Sequence, residues 1–124
     1  MWIYGQRTGA LVNGSASILV ASGTGYAGRG PCRNEPSAQR IKNFGPLPCG
    51  LYTIERPHDS PRTGPLTLSL TPDPRNEMFG RSAFAIHGDN DAHDASDGCI
   101  IMSRTVRETL ARSTDNVLLV VPFI

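Results

Sequence analysis

The chain has 124 residues, with 12 basic and 11 acidic side chains, a net charge of +1, and 39% hydrophobic residues. This length fits one domain, expected to span residues 1–124, with room for a core but not for a second module. Balanced charge without a basic run argues against nucleic-acid binding, which depends on neutralising phosphates. The longest apolar stretch, Val117 to Ile124, falls far short of the roughly 20 residues that span a bilayer.

The 13 glycines and 10 prolines punctuate the chain too often for long helices and suit short strands joined by turns. Met1–Tyr4 and Ala10–Asn13 read as a hairpin around a Gly-Gln-Arg-Thr-Gly turn. Ser17–Ser22 reads as a third strand, and Gly23–Gly30 as a surface loop. Four glycines there suggest a phosphate loop, but no Lys-Ser/Thr follows and no helix opens. Pro36–Lys42 is expected to be a short helix, begun by proline and stopped near Gly45-Pro46. Gly50–Glu55 is a strand, and Arg56–Gly64 a turn-rich loop. Pro65–Leu70 alternates strictly and is another strand, followed by irregular chain from Thr71 to Arg81. Ser82–His87 is a strand. Ser103 or Thr105 caps a helix reaching about Arg112, with Thr105-Val-Arg-Glu108 fitting a capping box. Asn116–Phe123 lacks polar alternation and is expected to be a central or well-covered strand. The class is mainly β, a sandwich or barrel with one or two short helices.

Three cysteines, Cys32, Cys49 and Cys99, leave one thiol over if the protein is exported and two pair. Cys32 and Cys49 form the natural pair; two unpaired thiols in a reducing compartment is the alternative. The N-terminus lacks the basic start, apolar run and small-residue cleavage site of a Sec signal. The chain is therefore expected to be made in the cytoplasm and, if it works elsewhere, to leave by another route or after removal of a leader.

The chemistry concentrates between Phe84 and Met102. An apolar strand ends at His87-Gly88, a polar loop runs from Asp89 to Gly98, and Cys99 opens a second apolar strand. Adjacent strand ends could bring this histidine and cysteine together. A thiol is a weak nucleophile until a base or cation favours the thiolate, and histidine in hydrogen-bond reach provides that base. Gly98 has no side chain, which lets backbone N–H groups approach a substrate carbonyl as an oxyanion site requires.

The segments His87-Gly88 and Ser96-Asp-Gly-Cys-Ile100 resemble the His-Gly … Ser-x-Gly-Cys signature of L,D-transpeptidase catalytic domains. Gly45-Pro-Leu-Pro-Cys-Gly-Leu-Tyr-Thr-Ile54 is similar to an element of a compact branch, the type VI secretion L,D-transpeptidase effectors. The opening Trp2–Leu11 segment and the Gly25-Tyr26 loop are similar too, so the resemblance runs from Trp2 to about Val121. It implies that Cys99 is the nucleophile and His87 the general base, with Ser96 and Gly98 in the motif that shapes the nucleophile turn and the oxyanion site. His93 is the rival base. Asp97 stands where much of the wider family has histidine. Gly88, His93, Asp97 and Arg104 are the candidate substrate contacts. Tyr26, Tyr52 and Arg81 are weaker ones. An arginine can hold a stem-peptide carboxylate by two parallel hydrogen bonds, and Arg104 is the better placed.

The resemblance further implies attack of Cys99 on the diaminopimelate carbonyl of a peptidoglycan tetrapeptide stem, releasing D-Ala and leaving a thioester. Water then gives L,D-carboxypeptidase activity; a D-amino acid gives exchange, and a second diaminopimelate amine gives a crosslink. No cofactor is required. An effector of this kind implies delivery by secretion machinery, action in the periplasm of a target bacterium and a cognate immunity protein. Two other readings stay open. One is a non-catalytic β module that binds peptidoglycan or a partner, with Cys99 and His87 as ordinary buried residues. The other is a metal-dependent hydrolase using the His/Asp loop, although Asp89, Asp91, Asp94 and Asp97 with His87, His93 and Cys99 match no common ligand spacing. One of the aspartates is a candidate to orient His87.

Overall fold

The computed structural model describes residues 1–13 and 23–124; the strand expected over Ser17–Ser22 lies outside them. The described strands, in chain order, are β1 (Trp2–Gly5), β2 (Ala10–Asn13), β3 (Gly23–Thr24), β4 (Tyr26–Ala27), β5 (Gly50–Ser60), β6 (Gly64–Pro72), β7 (Ala85–His87), β8 (Ile100–Ile101) and β9 (Val117–Val121). They form one mixed sheet in the order β3-β2-β1-β9-β5-β6-β7-β8-β4. β3 and β4 sit at opposite ends of that order, yet only Gly25 separates them in the chain. The sheet therefore curls until its two ends nearly meet, giving a barrel-like body with a single short helix, α1 (Arg104–Arg112).

Gly25 sits at this seam. Its N–H donates to the Gly9 carbonyl at 2.7 Å, and a Cβ there would overlap the carbonyl oxygen of Ile101. Only glycine lets the backbone pass between the two ends.

Alternation of side chains across each strand fills the interior. Trp2 and Tyr4 of β1, Tyr52 and Ile54 of β5, Leu68 and Leu70 of β6, and Leu118 and Val120 of β9 all enter one apolar cluster with Ile86 and Ile100. The terminal strand is central, as its apolar sequence led one to expect. β9 lies parallel to β1 and antiparallel to β5.

Several local expectations change, and the strand expected over Ser82–His87 forms only at Ala85–His87. The loop expected over Arg56–Gly64 instead continues β5 to Ser60 and turns tightly into β6. Pro57 is tolerated because β9 pairs with β5 only from Gly50 to Thr53, so its missing N–H leaves no ladder bond unmade on that side. The Pro36–Lys42 helix reduces to a 3-10 turn at Pro36–Ala38. The Gln39 carbonyl, which a continuing helix would use, instead accepts from the Arg81 guanidinium. The Gly23–Gly30 loop contains β3 and β4 and opens a second short 3-10 turn, Gly30–Cys32.

α1 begins at Ser103, whose Oγ accepts the Val106 N–H at 3.3 Å. The capping box at Thr105 does not form; Glu108 pairs with Arg104 at 3.5 Å and Arg112 at 3.9 Å. Val106 and Leu110, one turn apart, bury the inner face of the helix. Arg107 is buried as well and ties the helix to the start of β6. Its Nη1 donates to the carbonyls of Pro65 at 2.9 Å and Leu66 at 3.2 Å.

Candidate active site

β7 and β8 run parallel, with Ile86 opposite Ile100 and His87 opposite Ile101. Ile86 and Ile100 point into the core. By the two-residue period, Ala85 and His87 leave β7 on the other face. Cys99, one residue before β8, lies at the head of that same row. His87 and Cys99 accordingly line one groove of about 450 Å³, with Pro61, Arg62, Gly88, Asp89 and Asp97. A smaller recess of about 180 Å³ lies beside it and shares Cys99, Asp97, Arg62 and Ala83; Lys42, Arg81 and Phe84 are among its other lining residues.

The His87 ring is buried, and Nδ1 lies 2.8 Å from the Gly88 carbonyl oxygen. A carbonyl only accepts, so Nδ1 carries the hydrogen in this bond and the neutral ring keeps its lone pair on Nε2. A backbone carbonyl, rather than one of the aspartates, therefore orients the imidazole.

The turn before Cys99 is held by Ser96, which is fully buried. Its Oγ accepts the N–H of Gly28 at 2.8 Å and of Gly98 at 3.1 Å, and donates to the Cys99 carbonyl at 2.6 Å. Gly98 has φ +140°, a region side chains rarely enter. A Cβ there would stand 2.6 Å from Arg81 Nη2 and 2.9 Å from Phe84 Cε1. The Gly98 N–H donates to Ser96, so any oxyanion donor at this turn would be another backbone N–H.

Burial shifts both groups toward their neutral forms. Burial pushes the Cys99 thiol up, against the Ala85 N–H and the cations Arg62 and Arg81, with Asp97 adding to the rise. Burial pushes His87 down, reinforced by Arg107 and Arg62 and opposed by the Gly88 carbonyl and Asp89. Burial thus favours the thiol and the neutral imidazole. The thiol points toward the Ala83 carbonyl at 3.9 Å.

The remaining candidates divide. Gly88 lines the groove, and a Cβ there would press to 2.8 Å from Arg107 Nη2. Asp97 lines both recesses and pairs with Arg29 at 2.9 Å and Arg62 at 3.8 Å. His93 does not line the groove; it is exposed, with Nδ1 2.9 Å from Asp89 Oδ2. Arg104 lines a different recess, with Tyr26, Asp89 and Met102. Tyr26 braces the polar loop: its hydroxyl donates to Asp89 at 2.6 Å and accepts the Ala95 N–H at 3.1 Å. Tyr52 is buried and donates to the Pro48 carbonyl at 2.6 Å. Among the described residues, His, Cys, Asp and Glu nowhere gather in threes suited to a metal ion.

Two residues lining these cavities were not singled out from sequence. Arg62 reaches the site from the β5–β6 turn, and Lys42 from the loop after Pro36–Ala38. Neither carries a local signal, since exposed cations on turns are common.

A family model described as the Tlde1 domain matches residues 22–122, most of the chain and all of the segment from His87 to Cys99. The chain belongs to the Tlde1 domain family. By name this is the type VI secretion L,D-transpeptidase effector family. No curated protein and no solved structure matches the chain. Within this Tlde1 domain no helix among the described residues is long and apolar enough to cross a membrane.

Proposed function

We propose that the protein is a peptidoglycan-modifying cysteine enzyme in which Cys99 attacks the diaminopimelate carbonyl of a tetrapeptide stem and His87 moves the proton. The observation that carries this reading is that Cys99 and His87 line one groove, with the imidazole held by the Gly88 carbonyl so that Nε2 is the basic nitrogen. Tlde1 membership supports the reaction class.

Burial favours the neutral form of both groups, so in this reading the proton moves during the reaction rather than before substrate arrives. His87 Nε2 takes the thiol proton as the sulfur bonds to the carbonyl carbon. The tetrahedral intermediate collapses, and the imidazolium returns the proton to the departing D-Ala amine. The resulting thioester is resolved by water, giving a tripeptide, or by an amine, giving exchange or a crosslink. Ser96 and Gly98 hold the turn that aims the sulfur. Gly88 and Asp97 border the groove that takes the stem peptide. Action in a target cell's periplasm, delivery by type VI machinery and neutralisation by a cognate immunity protein complete the proposal.

The test is incubation with purified tetrapeptide muropeptides and mass spectrometry of the products. Loss of D-Ala or its exchange is expected with the wild type and not with Cys99→Ala or His87→Ala. Unchanged substrate with folded wild-type protein would reject the reaction.

A further inference from the structure

Arg81 is an unusual cation. It is only 5% exposed, and no carboxylate pairs with it among the described residues. Each of its four Nη hydrogens goes to a backbone carbonyl: Nη1 to Gln39 and Pro46, Nη2 to Gly45 at 2.9 Å and Asp97 at 3.2 Å. The guanidinium also lies over the Phe84 ring, 5.1 Å from its centroid. Burying a charge without a counterion is costly, and carbonyl dipoles offset that cost only in part. Such a group is placed to stabilise an anion that forms nearby.

The anion at hand is the Cys99 sulfur, which borders the same 180 Å³ recess as Arg81. The link is mechanical as well. Arg81 holds the Asp97 carbonyl, and Nη2 fills the space that a Cβ on Gly98 would need. With its Nη hydrogens occupied, Arg81 has no fork left to clamp a substrate carboxylate, which removes the role considered from sequence.

We propose that Arg81 is a positioning residue for the nucleophile: its fork fixes the Asp97–Cys99 turn, and its uncompensated charge favours the sulfur anion as the proton leaves. This deepens, and rests on, the reading of Cys99 as nucleophile. The other groups facing the sulfur are Asp97 on its own turn, Arg62 from the β5–β6 turn, Lys42 from the loop after Pro36–Ala38, and His87 and Asp89 at the end of β7. Arg62 is solvated and partly occupied by Asp97, whereas Arg81 acts from a buried position where charge is poorly screened.

The test measures Cys99 alkylation by iodoacetamide against pH, with peptide mapping to separate Cys99 from Cys32 and Cys49, in wild type, Arg81→Gln and Arg81→Lys. Arg81→Gln should raise the labelling midpoint by about one unit, slowing labelling at pH 7 about tenfold. Arg81→Lys keeps the charge but not the planar fork. It should hold the midpoint near wild type while kcat on muropeptides falls about tenfold or more with KM little changed. A wild-type midpoint in folded Arg81→Gln overturns the proposal. Should that variant not fold, Arg81→Lys decides: a raised midpoint or wild-type kcat overturns it. Failure of both variants to fold also overturns it, in favour of a purely structural arginine. Labelling needs no substrate, so it reads the sulfur even if the proposed wall chemistry fails.

Discussion

The Ser96 hydroxyl donates a 2.6 Å hydrogen bond to the carbonyl of Cys99, and with its lone pairs it receives two backbone N–H groups, from Gly28 and Gly98. One side chain thus ties the turn before Cys99 to the chain just after β4. The serine in the motif is a brace for the sulfur-bearing residue.

Ser96→Ala leaves two N–H groups and a carbonyl without their partner. Each buried unsatisfied group costs about 1–3 kcal/mol, so a loss of about 2–4 kcal/mol, allowing for some relaxation, is expected in urea unfolding. Muropeptide turnover should fall further than this stability loss accounts for when measured where the variant is still folded. An alanine variant as stable as wild type would contradict the brace.

Gly98→Ala meets two separate obstacles. The backbone φ of +140° is unfavourable for alanine, and the new methyl would press on Arg81 Nη2 and Phe84. Strain of this kind costs about 1–3 kcal/mol, and thermal unfolding should register it. Since Arg81 must shift to admit the methyl, Cys99 labelling should also slow in a folded variant.

The pH response follows from the neutral pair. His87 is held below its ordinary value of about 6.5 by burial. The unfolded chain therefore binds a proton that the native chain resists. Native stability from this group is intact above the unfolded value and is lost as pH falls through about 6.5 toward the lowered native value. His87→Gln should flatten that part of the stability profile. The acid limb of kcat/KM should lie below the usual histidine range, and Cys99 labelling should keep rising above pH 8.5, the free-thiol value being about 8.5.

Cys32 and Cys49 are free thiols in the structure, and the Cys49 thiol donates to Gln6 Oε1 at 3.3 Å. The pairing considered from sequence is therefore not formed. Adding reductant should leave the melting temperature unchanged, and a thiol titration in denaturant should find all three cysteines reactive. A drop of several degrees with reductant would show that a bridge forms in solution.

The residue sequence by itself determined the strand-rich class, the central apolar strand at the C-terminus and the helix ending at Arg112. It also determined the segment that carries His87, Ser96, Gly98 and Cys99. These are local signals, because alternation, turn residues and a short motif are written in neighbouring positions. Tertiary structure alone decided that Arg81 lies under the nucleophile turn, that Arg62 reaches the groove from the β5–β6 turn, and that Lys42 reaches the adjoining recess from a distant loop. It also decided that a carbonyl rather than an aspartate orients His87, and that Arg104 and His93 do not line the groove. Those outcomes depend on which strand ends meet when the sheet curls closed at Gly25. Burial, which raises Cys99 and lowers His87, exists only once that closure has brought the walls together.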